Sequence, residues 1–325
     1  MPVKFSKESR IIRSFKIMTQ RYILLDGGMG RELERMGAPF KQPEWSALAL
    51  MEAPDSVYQA HINFIESGAE VITTNAYAVI PYHIGEERFN SDGRALIKLS
   101  AQLARKAANT CEPPIKVAGC IPPLFGSYMP ERFSAADAKA LLLPFIEEQE
   151  QYVDFWLIET ISSIEEAVLI HTLLDENTDK PIWMAFTITA KEESDGDKNP
   201  LATLRSHEPI KDAVQALIVQ TNPPEAILYN CCQPEEVELA LKTTNELLKA
   251  ADMAHIKTGA YSNAFTKVKK RRLPSNQGVN ALRKEMTPRI YLSFAKKWRK
   301  QGASIIGGCC GIGPEHIQAL KKGLK

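Results

Sequence analysis

The amino-acid sequence predicts an α/β chain folded as one (β/α)8 (TIM) barrel. Three observations predict it: short β-branched or apolar runs alternate with longer amphipathic stretches, eight such runs occur, and glycines mark passages from amphipathic stretch to run. A chain of 325 residues is about twice the common domain size, and barrels of this length form single domains. No linker rich in Pro, Gly or Ser divides it.

The runs, in order, are YILLD (22–26), EVITTN (70–75), IKVAG (115–119) and DFWLIE (154–159), then PIWMAFT (181–187), EAILYN (225–230), IKTGAY (256–261) and ASIIGG (303–308). Their lengths and sharp boundaries suit parallel strands buried on both faces. A helix over 56–70 is expected to open on Ser56 as its cap, and one over 134–153 on Ser134. Those over 234–250 and 287–303 carry proline at or near the first turn. In SGAE and QGAS a glycine stands where a helix C-cap gives way to a strand. The helix after the first run is expected in two pieces, RELERM and WSALALM. DGGMGREL, which follows that run, is not the G-x-G-x-x-G of an open dinucleotide-binding sheet.

Composition excludes several classes of partner. The chain is 44% hydrophobic and 24% charged, with a formal net charge of +1, so nothing points to nucleic acid or an anionic membrane. No stretch approaches the ~18 continuous apolar residues of a membrane span. Residues 1–19 read as an extension ahead of a barrel domain over 20–325, with Met18 an alternative start. MPVKFSKESRIIRSFKI is basic but lacks the apolar core and cleavage site of a secretory signal. Six cysteines in which two pairs are adjacent suit a disulfide scaffold poorly; reduced thiols and a cytoplasmic location are expected. Oligomeric state has no signature.

A barrel carries its chemistry at the C-terminal ends of its strands. The first run ends in Asp26-Gly27-Gly28, the second in Thr74-Asn75 with Tyr77 nearby, and the fourth in Glu159-Thr160. The sixth ends in Asn230-Cys231-Cys232, the seventh in Tyr261-Ser262-Asn263, and the eighth in Gly307-Gly308-Cys309-Cys310-Gly311. Thiolates of Cys231, Cys309 and Cys310 would reach one side of the mouth, about 2.3 Å from a shared zinc ion. Neighbours in a strand face opposite sides, so Cys309 and Cys310 need a tight turn, which the flanking glycines permit. Three ligands leave a fourth position open, the mark of a catalytic site. Burial under a glycine turn would explain any one of these cysteines; the set at two strand ends favours the metal. Cys232 is assigned to packing, Cys120 follows the third run and could approach the mouth but has no ligand partner, and Cys111 carries no signal.

Soft thiolates favour zinc over magnesium or calcium. Such a site would hold an incoming thiol as thiolate, which then attacks the methyl carbon of a positively charged donor in line, away from water. Asp26 and Glu159 are placed to accept from a substrate ammonium, and the N–H groups of Gly27 and Gly28 to receive a carboxylate. A turn residue before glycine and a helix N-terminal charge are the alternatives for these two acids. Asn75, Tyr77 and Asn230 are further substrate contacts. His61, His171 and His316 lie in helical patterns at the surface or core edge, and His83, His207 and His255 in loops without ligand spacing. The basic run over 267–272 is a solvated loop or one that closes over a ligand.

LLDGGMGREL, TTNAY, LIETISSIEEA, YNC and IIGGCCGIGPEHIQAL occur in that order and resemble the motifs of the homocysteine S-methyltransferase family over residues 20–323. The resemblance implies a (β/α)8 barrel, zinc on Cys231, Cys309 and Cys310, and homocysteine contacts at Asp26, Gly27, Gly28 and Glu159. It implies methyl transfer to homocysteine, giving methionine. Members use S-methylmethionine, S-adenosylmethionine, betaine, or methylfolate through cobalamin. The last needs modules that a chain filled by one barrel does not hold; the first two are the expected donors. This sequence departs from the pattern where YSNAF precedes a basic stretch and where CIPPLFGSYMP follows the third run. Both segments border the mouth, so the donor is left open. The alternatives are another thiol or selenol such as selenohomocysteine, betaine as donor, or a metal- or amino-acid-binding barrel without turnover.

Overall fold

A computed structural model describes residues 22–190, 202–266, 276, 278 and 280–324. The expected extension over 1–19 and the basic run over 267–272 lie outside the described residues. Strands β1 (Ile23–Leu24), β2 (Val71–Thr73), β3 (Lys116–Ile121), β4 (Phe155–Ile161) and β5 (Ile182–Phe186) precede a short pair, β6 (Ile188–Ala190) and β7 (Ala202–Leu204). Then come β8 (Ala226–Asn230), β9 (Lys257–Tyr261) and β10 (Ile305–Ile306). Eight strands form one parallel sheet in the order β1-β10-β9-β8-β5-β4-β3-β2. Leu25 bridges Val71 in parallel, and the Glu70 N–H donates to the Leu24 carbonyl at 2.7 Å, which joins the two ends. The sheet is therefore a (β/α)8 barrel, as expected. Each of the eight runs contributes one strand to it. The antiparallel β6–β7 pair, which no run had indicated, stands outside this sheet.

Helices α1 (Met29–Arg35), α2 (Ala47–Glu52), α3 (Pro54–Glu66), α4 (Pro81–Ile84), α5 (Glu86–Ala108) and α6 (Ala135–Gln149) serve the first half. The second half has α7 (Ile164–Asp175), α8 (Ile210–Ile218), α9 (Val237–Ala250), α10 (Pro288–Lys300) and α11 (Pro314–Gly323). The broken first helix is found as α1 and α2. α3 starts ahead of the expected Ser56: Ala53 is its cap and Pro54 its first residue, where a fixed φ and missing N–H cost nothing. Ser134 does precede α6, but its hydroxyl donates to Asp137 Oδ2 at 2.6 Å rather than accepting from the helix. Gly68 and Gly302 close their helices at φ +105° and +98°, a conformation that needs glycine.

Side chains fill two layers. Between sheet and helices lie Ile72, Ile158, Met184 and Ile227 with Phe64, Phe145 and Trp298. Inside the barrel, Leu25, Ala118, Leu157, Ala185, Leu228 and Ile305 meet. Phe155 and Trp183, with ring centroids 4.1 Å apart, fill the barrel near the N-terminal ends of β4 and β5, opposite the end where a barrel carries its chemistry. His61, His171 and His316 are buried, which corrects their placement at the surface or core edge. Among the described residues no helix is long and apolar enough to cross a membrane.

Candidate functional site

The site begins with two breaks in regular strand geometry. Pairing between β4 and β5 slips between Ile158 and Ile161, and Thr160 sits at φ +63°. A left-handed conformation is costly for a β-branched residue, and strain of this kind gathers where a side chain must be re-aimed. The strain is held by Asn230, whose Oδ1 accepts from the Thr160 N–H at 2.9 Å and whose Nδ2 donates to Thr160 Oγ1 at 2.8 Å. Just past β8, Cys231 turns at φ +48°. Its neighbour Cys232 is fully buried in the outer core, with its pKa pushed to about 12 by burial, so its assignment to packing holds.

Past β10 the chain folds back on itself. The Gly308 N–H donates to Asp26 O and the Cys309 N–H to Ser262 O, both at 2.9 Å, and Gly311 turns at φ +83°. Gly28 lies so close that a Cβ there would stand 2.6 Å from the Cys309 carbonyl oxygen. The outcome is that Cys231, Cys309 and Cys310 bring their sulfurs within 4.8 Å of one another. Cys231 and Cys310 are 3.8 Å apart, and Cys309 and Cys310 3.9 Å. A tetrahedral ion with zinc–sulfur bonds of about 2.3 Å requires sulfurs about 3.8 Å apart, so the three thiols fit such an ion. Crowding by the Cys231 sulfur raises the pKa values of Cys309 and Cys310 well above the usual thiol range; the Arg31 guanidinium opposes this at Cys310. A cation among them would relieve that penalty. The Tyr128 hydroxyl donates to Cys231 Sγ at 2.8 Å.

Asp26 and Glu159 lie beneath. Asp26 accepts from the Thr73 N–H at 2.8 Å, and burial raises its pKa to about 8, opposed by that bond and reinforced by Glu159. Glu159 Oε1 accepts from the Cys120 thiol at 3.1 Å, and its Oε2 from the Tyr261 hydroxyl at 3.3 Å. Burial brings its pKa to about 7, with the Cys120 bond opposing. Two buried acids with raised pKa values suit a ligand that arrives with its own positive charge.

A cavity of about 210 Å³ joins thiols and acids. Asp26, Gly27, Gly28, Asn75, Tyr77, Glu159 and the three cysteines line it. Asn75 donates to the Ser46 carbonyl at 3.1 Å, and the Tyr77 and Ser127 hydroxyls are 2.7 Å apart. Two of the expected contacts are placed differently from the rest. Asn230 does not line the cavity; it is fully buried behind Thr160, with Nδ2 3.5 Å from Glu159 Oε2, and orders the lining from outside. Gly28 lines the cavity, but its N–H donates to the Ile312 carbonyl at 2.9 Å, and its close approach to Cys309 is the role the geometry shows.

Several residues at or beside the site had no sequence signal. Cys120 is within β3, which runs on to Ile121, and it does have a partner in Glu159. It supports Glu159 without lining the cavity. Phe40, Trp45, Tyr128 and Phe265 add an aromatic rim to Tyr77. Asn276 Oδ1 accepts from Trp45 Nε1 at 3.1 Å and sits 2.9 Å from His83 Nδ1, across the mouth. Burial lowers the His83 pKa to about 4, so this ring is neutral.

A barrel that gathers three thiols and two buried acids at its mouth is an enzyme scaffold with a candidate thiolate metal centre. Residues 23–324 match the family described as homocysteine S-methyltransferase, and the chain belongs to that family. Homocysteine S-methyltransferase 1 of Arabidopsis thaliana is 27% identical, with 93% of each chain aligned. Homocysteine S-methyltransferase of Escherichia coli K12 is also 27% identical, over 93% of this chain and 95% of that one. Selenocysteine methyltransferase of Astragalus bisulcatus is 26% identical, over 97% and 96%. The solved homocysteine methyltransferase MmuM from Escherichia coli, in a metallated form, superposes with a TM-score of 0.73 at 25% identity, over 93% of this chain and 96% of that one. The chain is a methyltransferase of this family.

Proposed function

We propose that this enzyme moves a methyl group from a small sulfonium donor, S-methylmethionine or S-adenosylmethionine, to the thiol of homocysteine, with zinc on Cys231, Cys309 and Cys310. The observation that carries the proposal is the 3.8 and 3.9 Å spacing of three sulfurs above two buried acids. The metallated form of the Escherichia coli relative supports the metal. Zinc in such a site supplies a thiolate nucleophile at neutral pH.

The chain's own residues do the rest. Asp26 and Glu159 accept from the homocysteine ammonium, whose charge offsets the burial that otherwise keeps their protons on. The Gly27 N–H receives the carboxylate at the start of α1. Asn230 acts through Thr160 and Glu159 as a positioning residue, and Asn75 and Tyr77 shape the wall. The aromatic rim faces the onium carbon's side of the mouth, where ring faces stabilise a cation and exclude water. As the new sulfur–methyl bond forms, the donor's carbon–sulfur bond breaks and a neutral thioether leaves. Charge is annihilated in that step, so a dry cavity accelerates it. Reduced thiols fit a cytoplasmic setting.

A selenol acceptor is a second reading, favoured by the selenocysteine methyltransferase among the relatives. Purified protein is incubated with homocysteine and each donor in turn, betaine included, and methionine and zinc are measured. Methionine from a sulfonium donor and one zinc per chain are expected. Neither zinc nor methionine under any pairing would overturn the proposal.

A further inference from the structure

We propose that Tyr128 is a positioning residue of the thiolate centre, whose hydroxyl presets the Cys231 sulfur for the metal and draws off part of its charge once the metal is bound. The proposal rests on the zinc reading above. Cys309 and Cys310 share one turn, whereas Cys231 lies 79 positions from Cys310 and enters from another strand end, at φ +48°. Its place beside the pair therefore depends on contacts from elsewhere in the fold. The shortest of these is the Tyr128 hydroxyl, 2.8 Å from Cys231 Sγ. Asn263 Nδ2 is 3.8 Å from the same sulfur and is the weaker neighbour.

Tyr128 is itself held for this contact. It lies in the loop after β3, 103 positions from Cys231, and takes a left-handed backbone at φ +65° without being glycine. Such a conformation persists where the surroundings fix it. The Arg205 guanidinium carbon stands 5.3 Å from the Tyr128 ring centroid, within cation–π range. Arg205 follows β7 in a turn tied to the start of α7. There the Ser206 N–H donates to the Ser162 carbonyl at 3.1 Å, and the Ile164 N–H to Glu208 Oε2 at 2.9 Å. The β6–β7 pair, outside the barrel sheet, thus ends in a cation that backs the Tyr128 ring. The Tyr77 hydroxyl, by contrast, is 2.7 Å from Ser127 Oγ.

The chemistry follows from the direction of the bond. An O–H that donates to a thiolate makes a charge-assisted hydrogen bond, and so favours thiolate over thiol before any metal arrives. Groups that bond to a metal ligand from outside fix its orientation and tune how much charge it gives the metal. A sulfur that shares electron density with a hydroxyl gives less.

Tyr128→Phe keeps the ring beside Arg205 and removes only the hydroxyl. Metal-free wild type and variant are loaded with zinc in competition with a chelator, and with cobalt for absorption spectroscopy. The variant is expected to bind zinc about 10- to 100-fold more weakly, with the melting temperature of its metal-free form unchanged. Its sulfur-to-cobalt charge-transfer band should move to longer wavelength, because a sulfur without the hydroxyl holds its electrons less tightly. Wild-type zinc affinity with an unmoved band would overturn the proposal. Weaker zinc binding with a lower melting temperature and an unmoved band would overturn it too, since Tyr128 would then act through packing alone. Wild type that takes up neither zinc nor cobalt would instead remove the reading on which the proposal rests, and this proposal with it.

Discussion

Glu159 and Asp26 show how far single residues can be argued. Each stands above its ordinary pKa, at about 7 and about 8, chiefly through burial. The folded protein therefore holds these protons more tightly than the unfolded chain does. Their protonated forms contribute stability that is complete below the unfolded values near 4 and is lost as pH rises through about 7 and about 8. Ligand-free protein should melt at falling temperature across that range, and Glu159→Gln should flatten the slope; a slope unchanged by the substitution would contradict the assignment. The same variant should raise the KM for homocysteine by about 10- to 100-fold through loss of the ammonium contact, which steady-state kinetics would read. The place of both acids at the mouth was legible because each stands at a strand's C-terminal end, although a turn residue or a helix N-terminal charge would have looked the same in sequence. Cys120 was not, because its strand runs past the boundary that composition suggested and its partner lies 39 residues away.

At the scale of elements, the turns after β8 and β10 decide the site. Cys231 and Thr160 hold left-handed backbone without being glycine, and no local pattern announces that. The flanking glycines of Cys309 and Cys310 did announce a turn, whereas the part played by Gly28 depends on a segment about 280 positions away. A Cβ at Gly28 would meet the Cys309 backbone, not a flexible side chain, so the chain itself must shift. Gly28→Ala should destabilise by about 1–3 kcal/mol, as overpacking does, and lower the metal occupancy that survives a chelator. Melting and metal analysis would check it; full occupancy at unchanged stability would refute the close-packing argument. The β6–β7 pair escaped notice for a different reason: a three-residue strand is too short to show a period.

The whole molecule converts eight local patterns into one mouth. Parallel strands buried on both faces leave a clear composition, so the barrel was legible in all eight runs. Closure then brings together positions 26, 159, 231 and 309–310, which is why strand-end residues could be grouped before any distance was known. The spacing of that group, and which N–H groups it leaves for a ligand, depend on packing that no spacing in the chain encodes. X-ray absorption at the zinc edge, before and after addition of homocysteine, tests the central claim most directly. One zinc per chain with three sulfur ligands at about 2.3 Å, becoming four when homocysteine is added, is the predicted result, with the metal lost in Cys310→Ser. Zinc without sulfur neighbours, or a sulfur count that homocysteine leaves unchanged, would contradict it.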